Sequence, residues 1–227
     1  EWKQITPQKP FYLFKPQDIR WINEYEKGTN LVKLMRVNST GVKTHRDHFA
    51  FDFEEATLRT RICRFRDLTI ADAEICERYG LKDTRDWKVS VRRRMLSEKS
   101  NWDDFLTKCL YRPFDFRAYF HHEDVVELPR NEVTRHLLKK ENLAIITTRQ
   151  TRDEWATLMT SYIPDHKSCA AYDTNSLFPL YLYPAQEGEL FEQNHWPAGK
   201  GGRVPDLSRE FVEEFAEKIK LEFVSDG

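Results

Sequence analysis

Aromatic and charged side chains alternate through the middle of the chain, in Tyr111-Arg-Pro-Phe-Asp-Phe-Arg-Ala-Tyr-Phe120. Successive side chains of an extended segment point to opposite sides. A strand here puts Phe114, Phe116, Ala118 and Phe120 on one side, with Asp115, Arg117 and Tyr119 on the other. One face is then aromatic and buried, and the other is charged, with a local Arg–Asp pair. Such a strand must find neighbours and a covering layer. The chain can supply them: 227 residues, with 15 Phe, 9 Tyr and 6 Trp, suffice for an aromatic-rich core in one large domain or two small ones.

The flanking sequence alternates helix and strand signals. A strand is expected over 8–14, then a helix over 16–27 that opens on Pro16, carries Trp21 and Tyr25 on its apolar side and stops at Gly28. The polar loop from Asn38 to His48 leads into a strand over 49–53. Asp52 can then cap a helix running to about Arg66, with Leu58, Ile62 and Phe65 as its buried stripe. A shorter helix over 71–79 ends at Gly80. A long one over 84–98 has Trp87, Val91 and Met95 as its seam, and Arg85, Lys88 and Arg92 on another face, either as a phosphate rail or as solvated surface.

Strands are expected over 105–111, 116–120, 124–127, 143–148, 157–163 and 177–183, and a helix over 131–140. The run Leu143-Ala-Ile-Ile-Thr-Thr148 is apolar and β-branched enough to be an inner strand. It delivers Arg149, Gln150 and Arg152 into the loop that follows, a place where function often sits. The main body is read as 1–184, a Gly-containing loop or linker as 185–205, and a final helical segment as 206–227 with Phe211, Phe215 and Ile219 on one side. The fold class is α+β, with mixed sheet and surrounding helices.

Net charge is −1, so any polyanion must be met by a local patch rather than a global field. From Ala185 onward there are 5 Lys+Arg against 10 Asp+Glu, leaving 31 against 27 before it. The acidic C-terminal part is therefore the wrong place for such a patch. The four cysteines form no CxxC, which reads as reduced thiols in a cytoplasmic protein, and no apolar run is long enough to span a membrane. Glu1 and the ending just after a helix read as a piece cut from a longer polypeptide.

Local marks of catalysis are scarce. His45-Arg-Asp-His48 could begin a metal site, and with it a metal-dependent nuclease using His45, Asp47 and His48. The intervening Arg46 and the loop setting argue against a cation there. His121-His122-Glu123-Asp124 is a similar case. There is no GxSxG, no GxGxxG, no P-loop and no Asn/Asp-Pro-Pro-aromatic motif. The residues themselves point to a recognition module that needs no cofactor of its own.

Seven segments stand in a familiar order: Ser39-Thr-Gly-Val-Lys-Thr-His-Arg-Asp47, Tyr111-Arg-Pro-Phe-Asp-Phe-Arg117, Leu128-Pro-Arg130, His136-Leu-Leu138, Glu141-Asn-Leu143, Thr148-Arg-Gln150 and Phe178-Pro-Leu-Tyr-Leu-Tyr-Pro184. Together they resemble the C-terminal specificity domain of type ISP restriction–modification enzymes and of related large bacterial adenine-specific DNA methyltransferases. The resemblance implies a target-recognition domain for double-stranded DNA. It also implies an upstream adenine-N6 methyltransferase domain in the same polypeptide, using S-adenosylmethionine and, in some parents, ATP and Mg²⁺. It further implies chain beyond the last helix. On this reading Lys43, Thr44 and Arg46 are the first candidates for DNA contact, followed by Arg112, Arg117 and Arg130, then Arg149, Gln150 and Arg152. Arg85, Lys88 and Arg92 are candidates for phosphate contact. A module that touches only protein, coupling the parts of such an enzyme, is the remaining alternative.

Overall fold

Two four-stranded sheets share one seam, and the seam decides which loops come together. Residues 19–149, 155–170, 172–184 and 196–224 are described by the computed structural model. The first part of the chain gives α1 (Ile22–Glu26), α2 (Leu31–Leu34), β1 (Ser39–Thr40), α3 (Asp47–Ala50) and β2 (Phe51–Asp52). Next come α4 (Glu55–Arg66), α5 (Asp72–Tyr79), α6 (Val89–Ser97), β3 (Leu106–Arg112) and β4 (Asp115–Phe120). Then follow α7 (Asn131–Thr134), β5 (Ala144–Thr148), β6 (Thr157–Thr160), β7 (Ile163–Pro164), β8 (Asn175–Pro179), β9 (Tyr181–Leu182), β10 (Val204–Pro205) and α8 (Arg209–Ile219). This is the expected α+β class.

One sheet has the order β1-β8-β5-β6, the other β2-β4-β3-β7, and β9 and β10 form a separate pair. The two large sheets meet where Val42, just past β1, pairs in parallel with Asp165, just past β7. Register then fixes a common rim. The end of β1 (Thr40) and the end of β5 (Thr148) oppose Ser176 and Asn175 at the start of β8. The ends of β3 and β7 lie side by side, with Leu110 opposite Pro164, and the start of β4 faces the end of β3. Loops leaving β1, β3, β5 and β7 therefore emerge at one edge of the molecule.

The helices α4, α5 and α6 pack beside the second sheet. Leu58, Ile62 and Phe65 of α4 are fully buried, as the sequence stripe predicts, each worth about 1.5–3 kcal/mol against exposure. Gly80 closes α5 in the left-handed region at φ 59°. As expected, β5 is an inner strand, paired on both sides.

Several expectations are corrected. The central hairpin does not bury one clean aromatic face: Phe114 and Phe116 are exposed, while Ala118, Tyr119 and Phe120 are all buried. Only the inner end of β4 is covered on both sides, so alternation fails there. The third long helix starts at Val89, not at residue 84. The Asp83 carboxylate accepts the Val89 N–H at 2.9 Å, and the Thr84 N–H turns back to the Trp87 carbonyl. Trp87 is buried, but from outside the helix, with its indole N–H on the Asp124 carbonyl at 2.9 Å. It cannot set the helix phase, and Val89, Arg93 and Leu96 face inward instead of Val91 and Met95.

The strand expected over 124–127 is a turn in which Val125 and Val126 both donate to the His122 carbonyl. The helix expected over 131–140 is the single turn α7 followed by further turns. Phe49 and Ala50 are helical, so the strand expected over 49–53 shrinks to Phe51–Asp52. Of the helix expected over 16–27, the described part is a 3-10 turn plus α1, with Trp21 and Tyr25 exposed. In α8, capped by Ser208, only Val212 is buried; Phe215 and Ile219 are exposed. The strand expected over 8–14 and most of the 185–205 loop lie outside the described residues. Among the described residues no helix is long and apolar enough to cross a membrane.

Candidate nucleic-acid interface

The loop after β1 is welded in place from both sides. The Val42 N–H donates to the Pro164 carbonyl, and the His166 N–H donates to the Val42 carbonyl, both at 2.9 Å. Lys43 and Leu128 exchange backbone hydrogen bonds of 3.1 and 2.9 Å. A loop held this way cannot sway. It presents the Lys43 side chain half-buried at the rim, with no ion pair among the described residues.

Its other two candidates go inward. Thr44 is fully buried, donating to Asp47 and accepting the Arg46 N–H at 3.0 Å. Arg46 is 5% exposed, with its guanidinium on the Thr44 and Val125 carbonyls (3.1 and 3.2 Å), on Glu127 (3.3 Å) and 3.8 Å over the Trp87 ring centre. Burial lowers its pKa, and Glu127 opposes that shift. Thr44 and Arg46 therefore build the loop rather than project from it.

The trio His45, Asp47 and His48 is not assembled as a metal site. The His45 Nδ1 meets Glu127 at 2.9 Å, Asp47 accepts the Tyr111 hydroxyl at 2.8 Å, and the His48 Nε2 meets the Tyr79 carbonyl at 2.9 Å. Among the described residues no three His, Cys, Asp or Glu side chains are grouped to hold a metal ion.

Arg112 and Arg117 brace the base of the β3–β4 hairpin. Arg112 donates to the fully buried Asp165 at 2.7 Å, a contact 53 residues away in sequence. Arg117 makes the local pair expected from sequence, two-pronged onto Asp115 at 3.0 and 2.7 Å, and this bonding raises its pKa. Its guanidinium lies 4.0 Å from the Tyr111 ring centre and 4.4 Å from that of Phe53. The Tyr111 hydroxyl is pushed up by desolvation and by its bond to Asp47. Both arginines are matched to carboxylates and add little net charge to the rim.

Arg130 adopts the left-handed region at φ 56°, two residues past the Leu128–Lys43 bridge. Its Nε is buried and has no hydrogen-bond partner among the described residues. The carboxylates expected for it are engaged elsewhere: Glu127 with His45 and Arg46, and Glu132 with the Ser39 hydroxyl at 2.6 Å. Arg149 leaves the end of β5 exposed, its N–H on the Thr174 carbonyl at 3.4 Å. It lines an open depression with Tyr172, Asp173 and Thr174. Gln150 and Arg152 lie outside the described residues.

A family model, the Type ISP C-terminal specificity domain, matches residues 33–226. The chain belongs to this family. Solved structures share the fold. A cryo-EM structure of a DrdV–DNA complex aligns with TM-score 0.65 and 16% identity, over 97% of this chain and 22% of that one. A nuclease-deletion mutant of the Type ISP restriction-modification enzyme LlaGI, in complex with a DNA substrate mimic, gives 0.58 and 18%, over 95% and 21%. The ATP-dependent Type ISP restriction-modification enzyme LlaBIII bound to DNA gives 0.55 and 17%, over 83% and 12%. The chain thus spans about a fifth or less of those proteins. No curated protein matches it.

In this specificity domain the Arg85, Lys88, Arg92 stripe does not form one helix face. Arg85 and Lys88 precede α6 and pair with Asp86 and Asp83, both exposed. Arg92 reaches Asp124 at 3.2 Å, beyond the end of β4 that lies away from the rim. Asp124 is fully buried, and His122 cannot serve its second oxygen as a neutral ring, because its Nδ1 already accepts the Asp124 N–H. Arg92→Ala is therefore expected to cost about 2 kcal/mol, below the usual penalty for orphaning a buried charge because Arg92 is partly in water. Arg85→Ala and Lys88→Ala should stay within about 0.5 kcal/mol. Urea denaturation separates the two cases.

Sequence reasoning missed Lys167 and the carboxylate hub Asp165. Lys167 follows β7 at the rim, half-buried, with no ion pair among the described residues; its N–H is fixed by Asp165 at 2.9 Å. The only sequence signal was a polar Asp165-His-Lys167 step straight after an apolar strand. Asp165 is not singled out by the sequence and Asp47 reads there only as a possible metal ligand, since Tyr111 and Arg112, which bind them, come from distant segments.

Proposed function

We propose that this specificity domain reads double-stranded DNA for a larger restriction–modification polypeptide, and that the rim is its reading edge. One observation carries this: Lys43, Arg149 and Lys167, from three separate loops, emerge at one rigid edge without ion pairs among the described residues. Unpaired cations on fixed backbone suit phosphates, which position a protein on a duplex, while nearby side chains read base edges. Arg149 is the candidate base reader, since a guanidinium can take the two acceptors of guanine. Arg130, half-buried two residues past the bridge to Lys43, is a further candidate contact. Thr44, Arg46, Arg112 and Arg117 shape the edge. The methyl transfer would belong to an upstream adenine-N6 methyltransferase domain using S-adenosylmethionine, with ATP and Mg²⁺ where a motor is present.

The test is salt dependence. Replacing Lys43, Arg149 and Lys167 by Ala should weaken duplex binding and flatten the log–log salt slope by up to about 1.8, roughly 0.9 for each of the two lysine–phosphate contacts. Lys43 and Lys167 alone should weaken all sequences alike, whereas Arg149→Ala should also erode site preference by about 1–3 kcal/mol. An unchanged slope removes the rim as the DNA edge.

A further inference from the structure

The β3–β4 hairpin turns on Pro113 and Phe114, and its tip places a strained backbone under an exposed ring. Phe114 sits at φ 62° and is 81% exposed. A proline followed by a left-handed residue is the pattern of a type II turn, where glycine or asparagine is the usual third residue. Phenylalanine there strains the backbone and leaves a large apolar surface in water. No aromatic or cation partner within the described residues offsets either cost.

Two further exposed rings lie on, or just past, the strands next to this turn. Phe53, at the end of β2, is 73% exposed, and Phe116, on β4, is half exposed with Tyr162 edge-on at 5.5 Å. The base beneath is stiff, because Arg112 is tied to buried Asp165 and Arg117 is clamped by Asp115 between two rings. The tip also stands at the end of β3, on the same rim as Lys43, Arg149 and Lys167. An apolar point on a rim that also carries cations without ion pairs among the described residues is complementary to a polyanion with a stacked apolar interior.

We propose that Phe114 is a wedge that enters duplex DNA between two adjacent base pairs, with Phe53 and Phe116 as its apolar shoulders. Apolar side chains inserted this way unstack one step and bend the duplex, bringing more of the protein against it. The wedge contributes affinity and shape without reading a base. It rests on the DNA-reading role above. The rim cations favour DNA over an apolar protein partner as the occupant.

The experiment uses the full-length protein, duplexes that it enriches from a random library, and 2-aminopurine substituted at successive adenines. The wild type should raise 2-aminopurine fluorescence severalfold at one or two neighbouring positions. Phe114→Gly should abolish that rise and weaken binding by about tenfold or more, as expected for loss of one aromatic–base stack. Phe114→Leu should retain part of both effects. The melting temperature of Phe114→Gly should stay level or rise, because glycine suits the left-handed turn. That separates lost insertion from damaged folding. No fluorescence rise in the wild-type complex, or wild-type affinity in Phe114→Gly, overturns the wedge and leaves the DNA-reading role standing. Failure to enrich any duplex overturns both.

Discussion

Arg93→Met is expected to lower stability by about 4–6 kcal/mol, and the melting temperature by roughly 10–20 °C for a domain of this size. Arg93 is 1% exposed and is the largest fully buried side chain among the described residues. Its guanidinium gathers three backbone carbonyls: Phe65 at 2.7 Å, Asp67 at 2.6 Å and Ile70 at 2.8 Å. These lie at the end of α4 and in the link to α5, where helix-terminal carbonyls lack intrahelical donors. Methionine keeps much of the volume but donates nothing, so the Phe65 and Ile70 carbonyls lose their Arg93 donor at about 1–3 kcal/mol each, while the Asp67 carbonyl keeps the Ile70 N–H and loses less. Arg93 also pairs with Asp72, which is half exposed. Asp72→Ala leaves the buried guanidinium without its carboxylate but with its three carbonyls, and should therefore cost less, about 1–2 kcal/mol. Thermal melts of both variants decide whether the carbonyls or the ion pair matter. Equal effects would assign the role to the ion pair.

Gly41→Ala is expected to cost about 4 kcal/mol and to weaken duplex binding as well. A Cβ on Gly41 would lie 2.4 Å from the Asp165 carbonyl oxygen, 2.5 Å from its carbon and 2.7 Å from the His166 nitrogen. All three are backbone atoms, so no side chain can swing away. Overpacking of this kind costs about 1–3 kcal/mol. Parting the seam to relieve it also loses the Val42–Pro164 and His166–Val42 bonds, each worth about 1 kcal/mol. Lys43, one residue past the seam, would leave the rim with it. The requirement is for space. Gly80→Ala, at φ 59° with only His48 3.9 Å away, should cost only about 1 kcal/mol. Paired denaturation curves and binding isotherms test the contrast, and a Gly41→Ala no worse than Gly80→Ala would show that the seam is soft.

The sequence carried the elements whose signal is local. The β-branched run of β5, the Leu58/Ile62/Phe65 stripe and the Gly80 stop each depend on neighbours within a few residues, and all three appear as expected. The phase of α6 did not, because Trp87 takes its partner from Asp124, 37 residues away. The candidate site divides in the same way. Arginine looks alike in sequence whether it is spent or free. Arg46 and Arg93 are buried among carbonyls that come from other segments, whereas Arg149 is exposed at the end of its strand. Burial is a property of the fold, so composition alone could not sort them. The glycine of the Ser39–Asp47 segment was visible as a loop residue, yet its role depends on Asp165, more than a hundred residues on.

The shared rim bears on how such a domain could acquire a new target. Each of its loops is spliced between strand ends that stay paired, as Thr148 is with Asn175 and Leu110 with Pro164. Lengthening a loop anchored this way is cheap, since doubling its length adds only about 0.6 kcal/mol of closure entropy. The loops carrying Lys43 and Lys167 are bonded to each other through Val42 and His166 and must change together, whereas the loop carrying Arg149 belongs to a separate stretch and can be exchanged without parting that seam. The scaffold behaves as a holder with interchangeable heads. Drift in one loop would alter one part of the proposed reading edge while the seam keeps the rest aligned.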